Sequence, residues 1–435
     1  DAYNVAVGFS AGENVTTGVE NTLLGGLAGD SLTTGSYNTA VGSRALQAED
    51  AHGRNVAVGY SSLATLNAAA DAYNVAVGFK AGEVMTTGTQ NTLIGGLTGD
   101  ALTEGSFNVA IGNNSLSATT VGTRNVAVGQ NTLLANILTD RNVAIGTAAL
   151  EALVGDGSTA NQTTYNTAVG YAAGNAMTTG VQNTLIGGLA GDALTTGSSN
   201  VAVGVLALSS EDTGGKNIAI GFQSLAAQNY NGDAYNVAIG HQAGLAVTTG
   251  IQNTLIGGLA GDALTTGAKN VAIGVQSLST EDTGSRNVAI GYQALLQLNY
   301  NGEGYNVAVG SNAGENVTTG INNTFIGGLA GDALTTGSNN VAIGKSALSA
   351  EDTGSHNVAI GNEALQDLNY NGSGYNTAVG SRAGADITTG IKNTLIGGGS
   401  GDALTEGHSN TAVGYESLSA SVDGDGNTAI GYLAL

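Results

Sequence analysis

The sequence contains no cysteine, no proline and no tryptophan, and only 10% of its residues carry a charge. Without cysteine there is no disulfide framework and no thiolate metal site. A disordered linker would be rich in proline and charge and poor in apolar residues, whereas 41% of these residues are hydrophobic. No run approaches the ~18 consecutive apolar residues of a membrane span. Asp1–Val7 already reads as strand rather than as a secretory leader. Cations are scarce, 11 Lys and Arg against 33 Asp and Glu, and the formal net charge is −22. That balance speaks against nucleic acid or an anionic membrane as the main partner.

Glycine is what the chain has instead, 71 of 435 residues, spaced regularly among Val, Ile, Leu and Thr. Asn4-Val5-Ala6-Val7-Gly8 returns as Asn21-Thr22-Leu23-Leu24-Gly25, as Asn38-Thr39-Ala40-Val41-Gly42 and as Asn55-Val56-Ala57-Val58-Gly59. Followed to Asn427, this Asn recurs 25 times, always with Gly four residues later. The usual step is 17 residues, and a 19-residue step closes most groups of four, giving a 70-residue super-repeat. Super-repeats start at Asn4, Asn74, Asn166, Asn236, Asn306 and Asn376; the second has five units, the last lengthened by an insertion near 155–163.

A unit of 17 residues is too short for a helix pair or a propeller blade and suits one turn of a solenoid. The expected fold is all-β: a single parallel β-solenoid, or β-roll, over residues 1–435, with about 25 coils. Numbered from its Asn, each coil has Val, Ile or Thr at position 2 and Val, Ile or Leu at position 4. These share one side of a strand, and they are expected to face the coil interior together with Leu at position 9 or an apolar residue at position 12. Stacked coils lie about 4.8 Å apart, so 25 of them would extend about 115–120 Å, and the Asn side chains can hydrogen-bond along their column. Gly at position 5 suits a sharp bend or a positive φ.

Position 3 is then expected to face outward, yet it is Ala or Leu, with one Phe325. Larger residues recur there at Leu23, Leu93, Leu185, Leu255, Phe325 and Leu395. Strands apolar on both faces imply a second buried surface, and a parallel homo-oligomer, a trimer, is expected to bury these side chains along a seam.

The motif Asn-Val-Ala-Val-Gly, with its following Ser-Leu or Ala-Leu, resembles the head repeats of YadA-like trimeric autotransporter adhesins, and similar repeats occur in bacteriophage tail-fibre shafts. The likeness covers essentially the whole chain; the coil here is longer than in those heads, and no stalk or anchor pattern is present. The resemblance implies a trimeric parallel β-roll that holds a binding surface away from its base. It also implies an extracellular setting, on a cell or virion surface, and a cell-surface glycan or protein receptor. The expected function is a structural or adhesive fibre, the shaft or head of a trimeric adhesin, with a phage tail-fibre shaft as the alternative. On either reading the chain is a segment of a longer fibre.

Other chemistries leave weaker marks. Asp30, Asp100, Asp192, Asp262, Asp332 and Asp402 come once per super-repeat, too sparse for a Ca²⁺-binding β-roll with an Asp every nine residues. Glu49-Asp50, Glu211-Asp212, Glu281-Asp282 and Glu351-Asp352 are adjacent in repeated turns with no fixed nucleophilic or basic partner, so no catalytic residue and no enzyme activity are expected. The four histidines form no column, so no metal site or cofactor is expected. Thr pairs such as Thr16-Thr17 are missing from half the coils, which disfavours an ice-binding array. The best recognition candidates are Tyr230, Tyr300 and Tyr370, each within Asn-Tyr-Asn-Gly where a 19-residue coil enlarges its turn. An aromatic between amides can stack on a sugar, or fold over the coil edge to cover the longer turn.

Overall fold

The computed structural model describes residues 2–157, 162–420 and 422–435, so residues 158–161 of the insertion lie outside the described residues. The chain is an all-β parallel solenoid of about 25 turns, divided into two compact units. The first comprises Asp1–Asn217 with Asn231–Asp233, the second Ile218–Tyr230 with Ala234–Leu435. Within each, every coil contributes a three-residue strand at positions 2 to 4, paired in parallel with the same positions of the next coil. In the first unit Ala6 pairs with Leu23, Leu23 with Ala40 and Ala40 with Ala57; in the second Ala238 pairs with Leu255 and Leu255 with Ala272. The insertion adds a short parallel pair, Thr139–Asp140 with Gln162–Thr163.

The strands face the other way from the sequence expectation. Position 3 points inward: Leu23, Leu93, Leu185, Leu255, Phe325 and Leu395 are at most 1% exposed within a single chain. Positions 2 and 4 are the outward ones, half-buried or exposed in nearly every coil. The expected seam of position-3 residues is therefore replaced by a filled coil interior. Each large residue lies between two position-9 glycines. A Cβ on Gly12 would come 2.6 Å from Leu23 Cδ1, and one on Gly29 would come 2.9 Å from Leu23 Cδ2. Where position 9 is Leu, as at Leu46 and Leu63, position 3 is Ala40 or Ala57 and all are fully buried. The volume trade runs between positions 3 and 9; among the described residues position 12 is buried in every coil but the first, where Val15 is half-buried. Interiors close-packed to this degree register a change of one methylene, and burying each Leu contributes about 1.5–3 kcal/mol.

The Asn column is buried and works chiefly through backbone groups. Asn38 N–H donates to Asn21 Oδ1 at 2.9 Å, while Asn21 Nδ2 donates to Gly35 O of its own coil at 2.9 Å. The same pair of bonds recurs at Asn253 and Asn270 in the second unit. Position 5 requires glycine twice over. Gly291 has φ +140°, and a Cβ there would lie 2.2 Å from the Gly310 carbonyl oxygen of the next coil.

Positions 7 and 9 and the residue before each Asn are also left-handed, as at Arg44 (φ 62°), Leu46 (52°) and Tyr37 (63°). Among the described residues none of these non-glycine positions is Val, Ile or Thr, whose branched Cβ makes positive φ a genuine outlier.

Candidate functional site

The enlarged turns are built around a carboxylate. Position 12 of the third coil is Glu49, Glu211, Glu281 or Glu351, each fully buried. Glu281 Oε1 accepts from Gly284 N–H at 2.7 Å, and Oε2 from Tyr300 N–H in the next coil at 3.3 Å. Glu351 does the same with Gly354 (2.6 Å) and Tyr370 (3.3 Å). Burial pushes the Glu49, Glu281 and Glu351 carboxyls above the ordinary range, with backbone N–H donors pulling the other way.

These bonds place two of the three candidate tyrosines, Tyr300 and Tyr370. Tyr230, Tyr300 and Tyr370 are half-buried. The Tyr300 ring lies over Gly302, where a Cβ would stand 2.9 Å from Cε1, and Gly302 N–H donates to Tyr300 O at 2.9 Å. Tyr370 covers Gly372 in the same way. The flanking Asn301 accepts from Thr283 Oγ1 at 3.2 Å, and Asn371 from Thr353. The Tyr300 and Tyr370 rings are thus seated on their turns, with part of each surface open.

A second set of side chains was not foreseen. The residue before the Asn is aromatic at Tyr3, Tyr37, Tyr73, Phe107, Tyr165, Tyr235, Tyr305 and Tyr375, all 45–73% exposed. The same column carries Arg54, Arg124, Arg141, Lys216, Lys269, Arg286 and Lys392, seven of the chain's 11 Lys and Arg. Arg54 stands 5.3 Å from the Tyr37 ring and 5.5 Å from that of Tyr73, and its Nε is 2.7 Å from Asp71 Oδ2. Arg286 repeats the theme with Tyr305 at 5.5 Å and Glu303 at 2.8 Å. Position 6 forms another aromatic column, with Tyr60 stacked on Phe79 at 5.6 Å and Tyr415 on Tyr432 at 5.8 Å. Following the residue before Asn as its own column would have revealed the first of these.

Among the described residues, potential metal ligands do not converge on a repeated site. Among the described residues, one grouping brings three such side chains within 4.8 Å, Glu49, Asp50 and His52. Glu49 already accepts from the backbone N–H groups of His52 and Ala68. The sequence puts Gly214, Gly284 and Gly354 where His52 stands.

No protein-family model and no curated protein matches this chain. Among the described residues no helix is long and apolar enough to cross a membrane.

Proposed function

We propose that this chain is a segment of an extracellular structural and adhesive fibre, in which three parallel copies bring their sheet faces together. The observation that carries the reading is the outward face of the strands. Position 2 is Val, Ile or Thr and position 4 is Val, Ile or Leu in every coil, with no charged residue in either column. Ile94, Ile111, Ile145, Ile186, Ile326 and Ile396 are 37–41% exposed in the single chain. Two such columns present an apolar strip on the order of 500 Å² in each unit, the upper end of what soluble monomers leave uncovered. Parallel, in-register copies would cover the strip along its length, and three is the number implied by the resemblance to YadA-like heads. A phage tail-fibre shaft would use the same geometry.

Attachment would then be spread over repeated weak contacts, the Tyr230, Tyr300 and Tyr370 turns among them. Three chains multiply such contacts through high effective concentration. Ile273→Glu with Ile290→Glu tests the assembly. Both side chains point out of the coil, so a monomer tolerates the change, whereas a trimer must bury unpaired carboxylates. A fall in mass to one chain in analytical ultracentrifugation, with the circular dichroism spectrum kept, is the expected result. A wild-type monomer, or an unaltered oligomer in the variant, overturns the assembly.

A further inference from the structure

Five of the six Gly-Gly-Leu segments keep Leu at position 7: Leu27, Leu97, Leu189, Leu259 and Leu329. The sixth reads Gly397-Gly398-Gly399-Ser400-Gly401-Asp402, with Gly399 where the others have Leu. Gly399 keeps the left-handed backbone of its counterparts, φ +61° against 55–61° for the five leucines. The substitution therefore removes a side chain and leaves the path of the chain alone.

What it leaves is a cavity of about 250 Å³ lined by Ser381, Arg382, Gly398, Gly399, Asp402, Tyr415 and Glu416. A Cβ at residue 399 would stand 3.2 Å from Glu416 Cγ and 3.5 Å from Asp402 Oδ2, so a side chain here would cover both carboxyl-bearing residues. The consequence shows in the repeats. Asp30, Asp100, Asp192, Asp262 and Asp332 each hold Oδ1 buried without a hydrogen-bond partner, and Asp402 does not. One ring face of Tyr415 is stacked on Tyr432, 5.8 Å away and 13° from parallel. In the preceding coil the same column is Gly398, which has no side chain to cover the other face.

We infer that this cavity is a binding site for a single neutral sugar ring, with Tyr415 as its stacking plate and Asp402 and Glu416 as acceptors for its hydroxyls. The volume is just below the roughly 300 Å³ at which pockets for drug-sized ligands begin, room for one small ring. Two carboxylates disfavour an anion. Ca²⁺ takes about six to eight oxygens, and Arg382 lies in the same wall. A polyhydroxylated neutral ring satisfies acceptors and the Arg382 donor together, and its apolar face suits an aromatic plate. The site names a ligand class for the adhesive segment and rests on that reading for its purpose, but it is formed within one chain and needs no trimer.

Saturation-transfer NMR on the wild-type chain with methyl glycosides of glucose, galactose, mannose and N-acetylglucosamine tests it. Gly399→Leu restores the residue found in five sister coils and so preserves the fold; binding of the preferred glycoside is expected to be lost. Asp402→Ala copies Ala64 and Ala226, which occupy the same coil position, and should weaken binding about tenfold or more, the worth of a charge-assisted hydrogen bond. Silence from all four glycosides, or binding indifferent to Gly399→Leu, overturns the inference. So does a Ca²⁺-induced rise in Tm that Asp402→Ala abolishes while no glycoside binds. Sugar binding by a chain that sediments as a monomer would sink the trimer and leave the pocket standing.

Discussion

The carboxylate of Glu281 reaches one coil upward to accept the backbone N–H of Tyr300 at 3.3 Å, tying a buried acid to the turn that the 19-residue coil enlarges. The two features travel together along the chain. Glu49, Glu211, Glu281 and Glu351 each precede a 19-residue coil, while Thr119 occupies the same position before a coil of 17. Glu281→Ala should leave the Gly284 and Tyr300 amides without their acceptor, at a cost of about 1–3 kcal/mol. Hydrogen exchange at those two amides should accelerate while the amides of neighbouring strands keep their protection. Unchanged exchange there would show that the carboxylate is a passenger.

Acid should stabilise this protein. Burial pushes up the carboxyls of Glu49, Asp100, Asp192, Asp262, Glu281, Asp332, Glu351 and Asp402. A carboxyl raised in the folded state adds stability that is fully present below its unfolded pKa, ordinarily 4.5 for Glu and 3.8 for Asp. That contribution is lost as pH rises through the raised folded value. Relief of the net charge of −22 acts in the same direction. Tm by circular dichroism should therefore rise as the pH is lowered from neutrality toward the ordinary Glu value of 4.5, still above the pI near 4.1. A Tm that falls over this interval contradicts the assignment.

The exchange of volume between positions 3 and 9 can be tested as a cycle. A Cβ on Gly331 would lie 2.4 Å from Phe325 Cε1, so Gly331→Ala should destabilise by about 1–3 kcal/mol through overpacking. Phe325→Ala alone opens a cavity and is destabilising too, at about 3–5 kcal/mol. The double variant should be more stable than the sum of the two losses predicts, because each change removes the other's fault. Additive losses in urea unfolding would mean that the two positions do not share space.

Gly291 should behave differently. Its Cβ would meet the carbonyl oxygen of Gly310, which is backbone and cannot be substituted away. Gly291→Ala should therefore be costly and without a suppressor in the adjacent coil. A second-site change at position 5 or 6 of that coil that restores wild-type Tm would refute this account.

The period, the parallel strands and the role of position 5 were legible because a repeat averages out local noise and a 17-residue unit leaves few alternatives. The facing of the strands was misread for a physical reason. Val56-Ala57-Val58 is apolar on both sides, and with a side-chain period of two either assignment satisfies the pattern. The deciding clue was size: an interior this narrow takes Ala, or a Leu where position 9 is Gly, and the bulkier Val and Ile fit outside. Buried glutamates were hidden because an acid in a turn normally reads as solvated, and only their pairing with the longer coil gives them away. The pocket lay in plain view as Gly399, the single departure from Leu in six copies.

The sandwich of Leu23 between Gly12 and Gly29 sets how such a gene can grow or shrink. Loss of one coil from a pair would place a Leu against a Leu, or leave one glycine facing an empty core. Loss of a third coil would strand a 19-residue turn without its glutamate. A whole group of four, 70 residues in most of the chain, can be deleted or duplicated with every contact restored at the joint. Recombination among the near-identical repeats is thereby filtered at the level of folding, and surviving length variants should differ by whole super-repeats.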